Sequence, residues 1–170
     1  MHSFVPVLRH WLEQTHASHV LEWGPGRSTH EILAALPAEG HLRSIEHSRA
    51  WAERIQLEIA EPKRWTLEMQ CVTRRVSQYA FTALTTPQPF DLIFIDGRRR
   101  VECALAAMLI LKPTGVILLH DASRKAYTQL LKPHIEVLEH RADTLVFRPA
   151  CQRENSFSIS PNKVNLTSTT

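Results

Sequence analysis

Apolar and polar positions change period repeatedly along this chain, and each change marks a strand giving way to a helix. Phe4, Val7, Leu8, Trp11 and Leu12 recur at helical spacing, broken by Arg9 and His10, and predict an amphipathic N-terminal helix. His19-Val20-Leu21-Glu22-Trp23 then reads as an apolar strand that ends in a glycine turn, with a helix over 28–36 behind it. A short strand over 41–46 finishes in Glu46, a helix opens at 48, with Trp51, Ile55 and Ile59 at every fourth position, and a third strand covers 65–72. Segment 73–89 is rich in turn residues, with room for one short helix. The run from Phe90 to Ile95 is too short and too β-branched for a helix and predicts a buried parallel strand. A helix over 101–111 stops before Pro113-Thr114-Gly115, where proline and glycine interrupt it in turn, and 116–120 is a fifth apolar strand. A helix over 125–131 and strands over 135–138 and 144–147 complete the alternation, which is that of one α/β domain over residues 1–150. Residues 151–170 lose the periodicity, become rich in Ser, Thr and Asn, and read as a flexible polar tail.

The turn after the first strand narrows the chemistry. Gly24 and Gly26 remove two Cβ atoms where the backbone must bend and let a ligand approach its amides. Ser28 is placed as the N-cap of the next helix, with Glu31 completing a capping box. Exposed N–H groups at such a helix start favour a carboxylate or a phosphate. A dinucleotide fingerprint would carry a small residue where Thr29 stands, and a phosphate loop would need a Gly-Lys-Ser/Thr run that the chain lacks. Glu46, 20 residues after Gly26, ends the second strand, where a carboxylate can accept hydrogen bonds from both hydroxyls of a ribose. In an open α/β sheet, ligands bind beyond the carboxyl ends of the strands where strand order reverses.

The run E-x-G-x-G-x-S-T over Glu22 to Thr29 resembles the first motif of class I S-adenosylmethionine-dependent methyltransferases. The resemblance extends in order of motifs to about Pro149. It implies a Rossmann-like methyltransferase fold: a mostly parallel seven-stranded sheet, order 3-2-1-4-5-7-6, flanked by helices and closed by an antiparallel hairpin. In that fold the order reverses between strands one and four, so Gly24–Gly26 and Asp96–Gly97 face one crevice. The segments Ser44 to Trp51 and Ile95 to Leu105, with His120-Asp121 after the fifth strand, also resemble a small bacterial branch of the class that pairs an IDGR element with an HD element. That branch names no acceptor. The cofactor contacts implied are Glu22, Gly24, Pro25, Gly26, Ser28, Thr29, Glu46, His47, Asp96 and Gly97. Glu22 either supports the loop or meets the methionine amine. Trp51 is a candidate to stack on adenine, although its helical spacing with Ile55 assigns it to the core.

Composition sets the remaining bounds. The 170 residues are 44% hydrophobic and 22% charged, as in an ordinary globular domain. A net charge of +3 permits an anionic substrate, but the basic residues are spread along the chain rather than gathered into a nucleic-acid footprint. The exception is Arg98-Arg99-Arg100. Cys71, Cys103 and Cys151 are odd in number and match no metal-ligand spacing, which points to reduced thiols and a cytoplasmic location. No apolar run approaches the length of a membrane span or a signal-peptide core.

Methyl transfer from a sulfonium needs an acceptor in line behind the methyl carbon, and the protein can add removal of the acceptor's proton. His120, Asp121 and Asp96 are the candidate catalytic residues. His120 has a near-neutral intrinsic pKa suited to a base, against a reading in which it merely ends a buried strand. Asp121 either orients it or caps the next helix. Asp96 and Asp121 also occupy places comparable to the metal ligands of catechol-type and some sugar O-methyltransferases. Here, however, Ala122 follows Asp121 where the catechol type has Asn, and His120 replaces the acidic neighbour of the sugar type, so no metal ligands are assigned. Arg98 is the candidate to hold a carboxylate or phosphate of the substrate, two of the three arginines facing solvent. The [ND]-P-P-[YFW] element of amino-group methyltransferases is missing, which disfavours DNA adenine and glutamine-amide chemistry.

The reading is therefore O-methylation of a small-molecule acceptor, with no membrane or nucleic-acid partner. Its rivals are a domain that binds S-adenosylmethionine or S-adenosylhomocysteine without chemistry, and an NAD-dependent oxidoreductase. No insertion forms a lid, so the helix holding Trp11 or a second copy in a homodimer is expected to cover the site.

Overall fold

Side-chain alternation along each strand divides the core into two layers, one on either face of the sheet. The computed structural model describes residues 3–60, 62–72, 78–85 and 88–150. Its strands are β1 (His19–Trp23), β2 (His41–Glu46), β3 (Trp65–Met69), β4 (Phe90–Ile95), β5 (Leu111–His120), β6 (Ile135–Arg141) and β7 (Thr144–Pro149). They form one sheet in the order β3-β2-β1-β4-β5-β7-β6, as the resemblance implies. Five strands run parallel, and β7 pairs antiparallel with both β5 and β6.

Val20, Leu92, Phe94, Val116 and Leu118 point to one face. There they meet Val7, Leu8 and Leu12 of α1 (Val5–Gln14), Ile32 and Leu33 of α2 (Arg27–Ala35), and Ile55 of α3 (Arg49–Glu58). Leu21, Trp23, Ile93, Ile95, Ile117 and Leu119 point to the other. They pack on α4 (Gln78–Phe81), α5 (Arg100–Ile110) and α6 (Lys125–Leu131). With both faces covered, β1 and β4 are buried almost end to end, so they read in sequence as continuous apolar runs. The one break in β1 is Glu22. Its even position turns it toward α2, together with Val20.

Three local expectations need correction. The helix after the glycine turn starts with Gly26 as N-cap rather than Ser28, and Thr29 accepts a hydrogen bond from Gly26 N at 2.9 Å. Glu31 caps nothing; it pairs with Arg9 and Arg27. The helix before Pro113 ends where proline predicts, but β5 starts at Leu111 and carries Pro113-Thr114-Gly115 within it. Register moves from Phe90↔Leu111 to Leu92↔Val116, so this stretch bulges out of the ladder, where proline's missing N–H costs nothing. The third strand stops at Met69, short of 72. The short helix expected within 73–89 is α4, with residues 73–77 and 86–87 outside the described ones. The polar tail over 151–170 also lies outside them. Among the described residues no helix is long and apolar enough to cross a membrane.

Candidate functional site

A polar knot lies under the glycine turn. The Glu22 carboxylate is fully buried and accepts hydrogen bonds from Ser28 Oγ, from Thr29 Oγ1 at 2.8 Å and from Ser44 Oγ at 2.7 Å. Thr29 in turn accepts from Gly26 N, and Ser44 from Trp65 Nε1 at 2.8 Å. One buried acid thus ties the turn, the first turn of α2 and β2 together. Loss of water pushes the Glu22 carboxyl up to about 7, although the three hydroxyls pull it the other way. This demand on the Ser28 hydroxyl explains why the residue is inside the helix and not its cap.

Above the knot, the crevice opens where strand order reverses between β1 and β4, a cleft of about 820 Å³. Gly24, Pro25, Gly26 and Ser28 line it, with Glu46 and His47 at the end of β2 and Asp96, Gly97 and Arg98 after β4. Asp121 reaches it from the end of β5. Among the sequence candidates, Glu22 and Thr29 stand behind the wall with no exposed surface, and His120 is not part of the lining.

The wall is as close as backbones allow. Gly24 has φ +85°, and a Cβ there would lie 2.7 Å from Gly97 N. A Cβ on Gly97 would fall 1.9 Å from Tyr79 Oη. Both glycines are therefore required at this meeting of β1 and β4. Gly26 differs: its Cβ position faces the cleft and meets only the Trp51 ring, at 3.7 Å.

Glu46 is nearly buried, and its Oε1 is committed to the protein. It accepts from His47 N at 2.8 Å and Ser48 N at 2.6 Å, and His47 Nδ1 lies 2.7 Å away. Oε2 has no hydrogen bond among the described residues. Trp51 is not the core residue its spacing predicts. It is 40% exposed on the cleft wall, with Nε1 donating to Pro25 O at 2.6 Å. A tryptophan N–H must find an acceptor, and the one at hand is the carbonyl between the two glycines.

At the other end of the cleft, His120 Nδ1 lies 3.1 Å from Asp96 Oδ1 and 3.8 Å from Asp121 Oδ1. The hydrogen bond to Asp96, supported by the charges of both carboxylates, raises the His120 pKa above its ordinary value. Asp121 holds φ +56°, a left-handed conformation that aspartate tolerates better than most residues. Phe4, just before α1, lines the cleft and packs edge-on against the His120 ring at 5.1 Å. Trp11 of the same helix points elsewhere, its Nε1 bonded to Glu139 at 2.7 Å, so it is Phe4, just before the helix, that reaches the cleft.

Arg100 was expected to face solvent or substrate, and it does neither. Its side chain is 11% exposed and spans the ends of β4 and β5. It donates to Gly97 O at 3.0 Å, His120 O at 2.5 Å and Asp96 O at 3.1 Å, and pairs with Asp96 Oδ1 at 2.8 Å and Asp121 Oδ2 at 3.0 Å. Nothing in the sequence marked this brace, because Asp96 lies before α5 and its four-residue spacing to Arg100 is not a pair on one helix. The brace also bears on metals. Asp96, His120 and Asp121 place one donor atom each within 4.8 Å of one another. A divalent ion among them would share both carboxylates with a fixed guanidinium, so this donor set does not suit one.

The glycine cradle, the uncommitted Glu46 Oε2 and a cleft of this size suit an adenosyl cofactor that ends in an amino acid. Comparison with known proteins agrees with the fold. A family model described as a methyltransferase domain matches residues 21–122, more than half of the chain. No curated protein matches by sequence. Among solved structures, a methyltransferase-like protein from Silicibacter pomeroyi is 24% identical, with TM-score 0.68 over 86% of this chain and 84% of its own. The O-methyltransferase TomG from Streptomyces achromogenes, involved in tomaymycin synthesis and solved with S-adenosylmethionine, is 18% identical, with TM-score 0.67 over 86% and 79%. An O-methyltransferase from Bacillus cereus, solved with S-adenosylhomocysteine, is 19% identical, with TM-score 0.66 over 84% and 78%.

Proposed function

Since the chain belongs to the methyltransferase-domain family, we propose that it transfers the methyl group of S-adenosylmethionine to an oxygen of a small-molecule acceptor. When bound, the cofactor supplies the methyl group and its own sulfide leaving group. The protein's part is to bind, to orient and to take a proton. Gly24, Pro25 and Gly26, with the N-terminus of α2, receive the amino-acid end, and Glu46 Oε2 takes the ribose hydroxyls. His47 and Trp51 border the base. Ser28 lines the cleft while Glu22 and Thr29 hold the turn from behind.

Acceptor deprotonation falls to the Asp96–His120 pair. Asp96 faces the cleft and His120 stands against it, so a proton leaving the acceptor reaches one hydrogen-bonded unit. Asp121 stabilises the imidazolium that results, and Arg100 keeps both carboxylates in place. Cys71 and Cys103 are both free, which fits a reducing cytoplasm.

The observation that carries the reading is Glu46: a nearly buried carboxylate at a strand end in the cleft wall, one oxygen spent on backbone amides and the other without a hydrogen bond among the described residues. The test is calorimetric titration with S-adenosylhomocysteine beside a Glu46→Ala variant and an NADH control. Binding by the native chain, at least tenfold weaker in the variant, is expected, and that is about 1.4 kcal/mol. Absence of S-adenosylhomocysteine binding, or tight NADH binding, overturns the reading. Tight cofactor binding with no turnover across a broad acceptor panel supports the binding-domain alternative instead.

A further inference from the structure

Most arginines among the described residues are matched. Arg9, Arg27, Arg43, Arg49, Arg54, Arg141 and Arg148 each pair with a carboxylate. Arg64 instead donates to the carbonyls of Leu33, Leu36 and Pro37 at the end of α2. Arg99 bonds Glu102 at 3.2 Å, and Arg100 is fully engaged between Asp96 and Asp121. Arg98 breaks the pattern. It is exposed, it lines the cleft, and no described carboxylate pairs with it.

Arg124 is the next least matched. It enters the cleft from beyond β5 with its side chain 62% exposed. Its nearest carboxylate oxygen, Asp121 Oδ2, is 3.4 Å away and already holds Arg100 at 3.0 Å. Tyr127 lies beneath, its ring 5.8 Å from the Arg124 guanidinium and its hydroxyl 3.3 Å from Nη1. Around Asp96 and Asp121 the lining therefore carries two carboxylates and the four guanidiniums of Arg98, Arg99, Arg100 and Arg124. Glu102 accounts for Arg99 and the two aspartates for Arg100. What remains is positive charge from the strand ends on both sides of the Asp96–His120 pair.

Resting on the transferase reading above, we propose that the acceptor is an anion: a small molecule that carries a carboxylate or a phosphate beside the oxygen that is methylated, held by Arg98 and Arg124. Guanidinium groups bond such oxyanions through paired N–H donors, a geometry that lysines on these lips would not supply. The anion also fixes which oxygen faces Asp96, because charge recognition orients the acceptor before the proton leaves. A neutral acceptor of the same shape leaves the two guanidiniums unmatched and gains nothing from them.

The test loads the full chain with saturating S-adenosylhomocysteine and titrates inorganic phosphate and benzoate separately, at constant ionic strength held with chloride. Saturable binding of at least one is expected, and the comparison tells phosphate from carboxylate recognition. In an Arg98→Gln/Arg124→Gln double variant that binding weakens at least tenfold, while affinity for S-adenosylhomocysteine stays within twofold. Native protein that binds neither anion beyond the chloride control, or a double variant that binds as well as the native chain, overturns the proposal. If S-adenosylhomocysteine itself does not bind, the transferase reading is what has failed, and titration of the unloaded chain then judges the anion site alone.

Discussion

Replacing Glu22 with glutamine should abolish most of the pH dependence of stability between pH 4.5 and 7. The carboxyl is fully buried and burial pushes it from the ordinary 4.5 up to about 7. In that window the folded chain therefore holds a proton that the unfolded chain has released. Stability is fully present below 4.5, falls as pH rises toward 7, and levels off above it. The displacement corresponds to about 3 kcal/mol, counting about 1.4 kcal/mol per pKa unit. The bonding pattern says where the proton sits. The Thr29 and Ser44 hydroxyls each accept from another donor and give their own hydrogen to Oε2. In the protonated form the acid proton is then on Oε1, and the Ser28 contact reverses, with Oε1–H donating to Ser28 Oγ. A glutamine reproduces this neutral form, its oxygen at the Oε2 position and its amide toward Ser28. Urea unfolding at several pH values from 4.5 to 8.5 should give a sloping curve for the native chain and a flatter one for the Glu22→Gln variant. The variant should equal or exceed native stability at pH 8. Glu22→Ala should be less stable throughout, since it strands three hydroxyls. Parallel pH curves for the native and glutamine forms would refute the reasoning.

The acceptor side has its own pH signature. Because Asp96 raises the His120 pKa and a base must be neutral to accept a proton, the methylation rate should climb with pH through a midpoint above 6.5. Asp96→Asn should move that midpoint down as well as slow the reaction, and an unmoved midpoint in the pH–rate profile would separate His120 from the chemistry. Arg100→Met should cost about 3 kcal/mol in urea unfolding, because it leaves Asp96 and Asp121 together without their shared cation. The same brace predicts that a chelator leaves native activity unchanged; a rate restored by added magnesium would show that the guanidinium does not keep metal out. Gly24→Ala forces a side chain onto φ +85° and 2.7 Å from Gly97 N. It should cost about 1–3 kcal/mol in thermal or urea unfolding and weaken S-adenosylhomocysteine binding by calorimetry at least tenfold.

Sequence pattern carried the elements that bury one continuous face. Burial on both sides makes β1 apolar but for His19 and Glu22, β4 apolar but for Asp91, and Val116–Leu119 of β5 an unbroken apolar run, and α6 appears at the boundaries its pattern predicts. The strand order followed from the motif resemblance rather than from periodicity, since nothing in an apolar run says which neighbour it pairs with. What was misread concerns polar atoms whose partners are distant in the chain. Ser28 has the right residue type for an N-cap, but Glu22, six residues earlier, takes its hydroxyl into the interior. Trp51 keeps helical spacing with Ile55, yet its N–H finds Pro25 O, 26 residues away.

The arginine run shows the same limit within three consecutive residues. Arg98, Arg99 and Arg100 are chemically identical in the sequence, and their roles diverge because the backbone turns beneath them. Arg99 takes φ +53° and ends the loop, which starts α5 at Arg100. That turn directs Arg100 across the ends of β4 and β5, where carbonyls and carboxylates wait for five N–H donors, and leaves Arg98 outward on the cleft. Only the paired strand ends distinguish a structural cation from one free to meet a substrate. The proposed Arg98→Gln/Arg124→Gln variant therefore probes charge at the acceptor's position, while Arg100→Met probes the scaffold that holds Asp96 there. If both perturbations acted alike on cofactor affinity and on stability, the division of labour read from these contacts would be wrong.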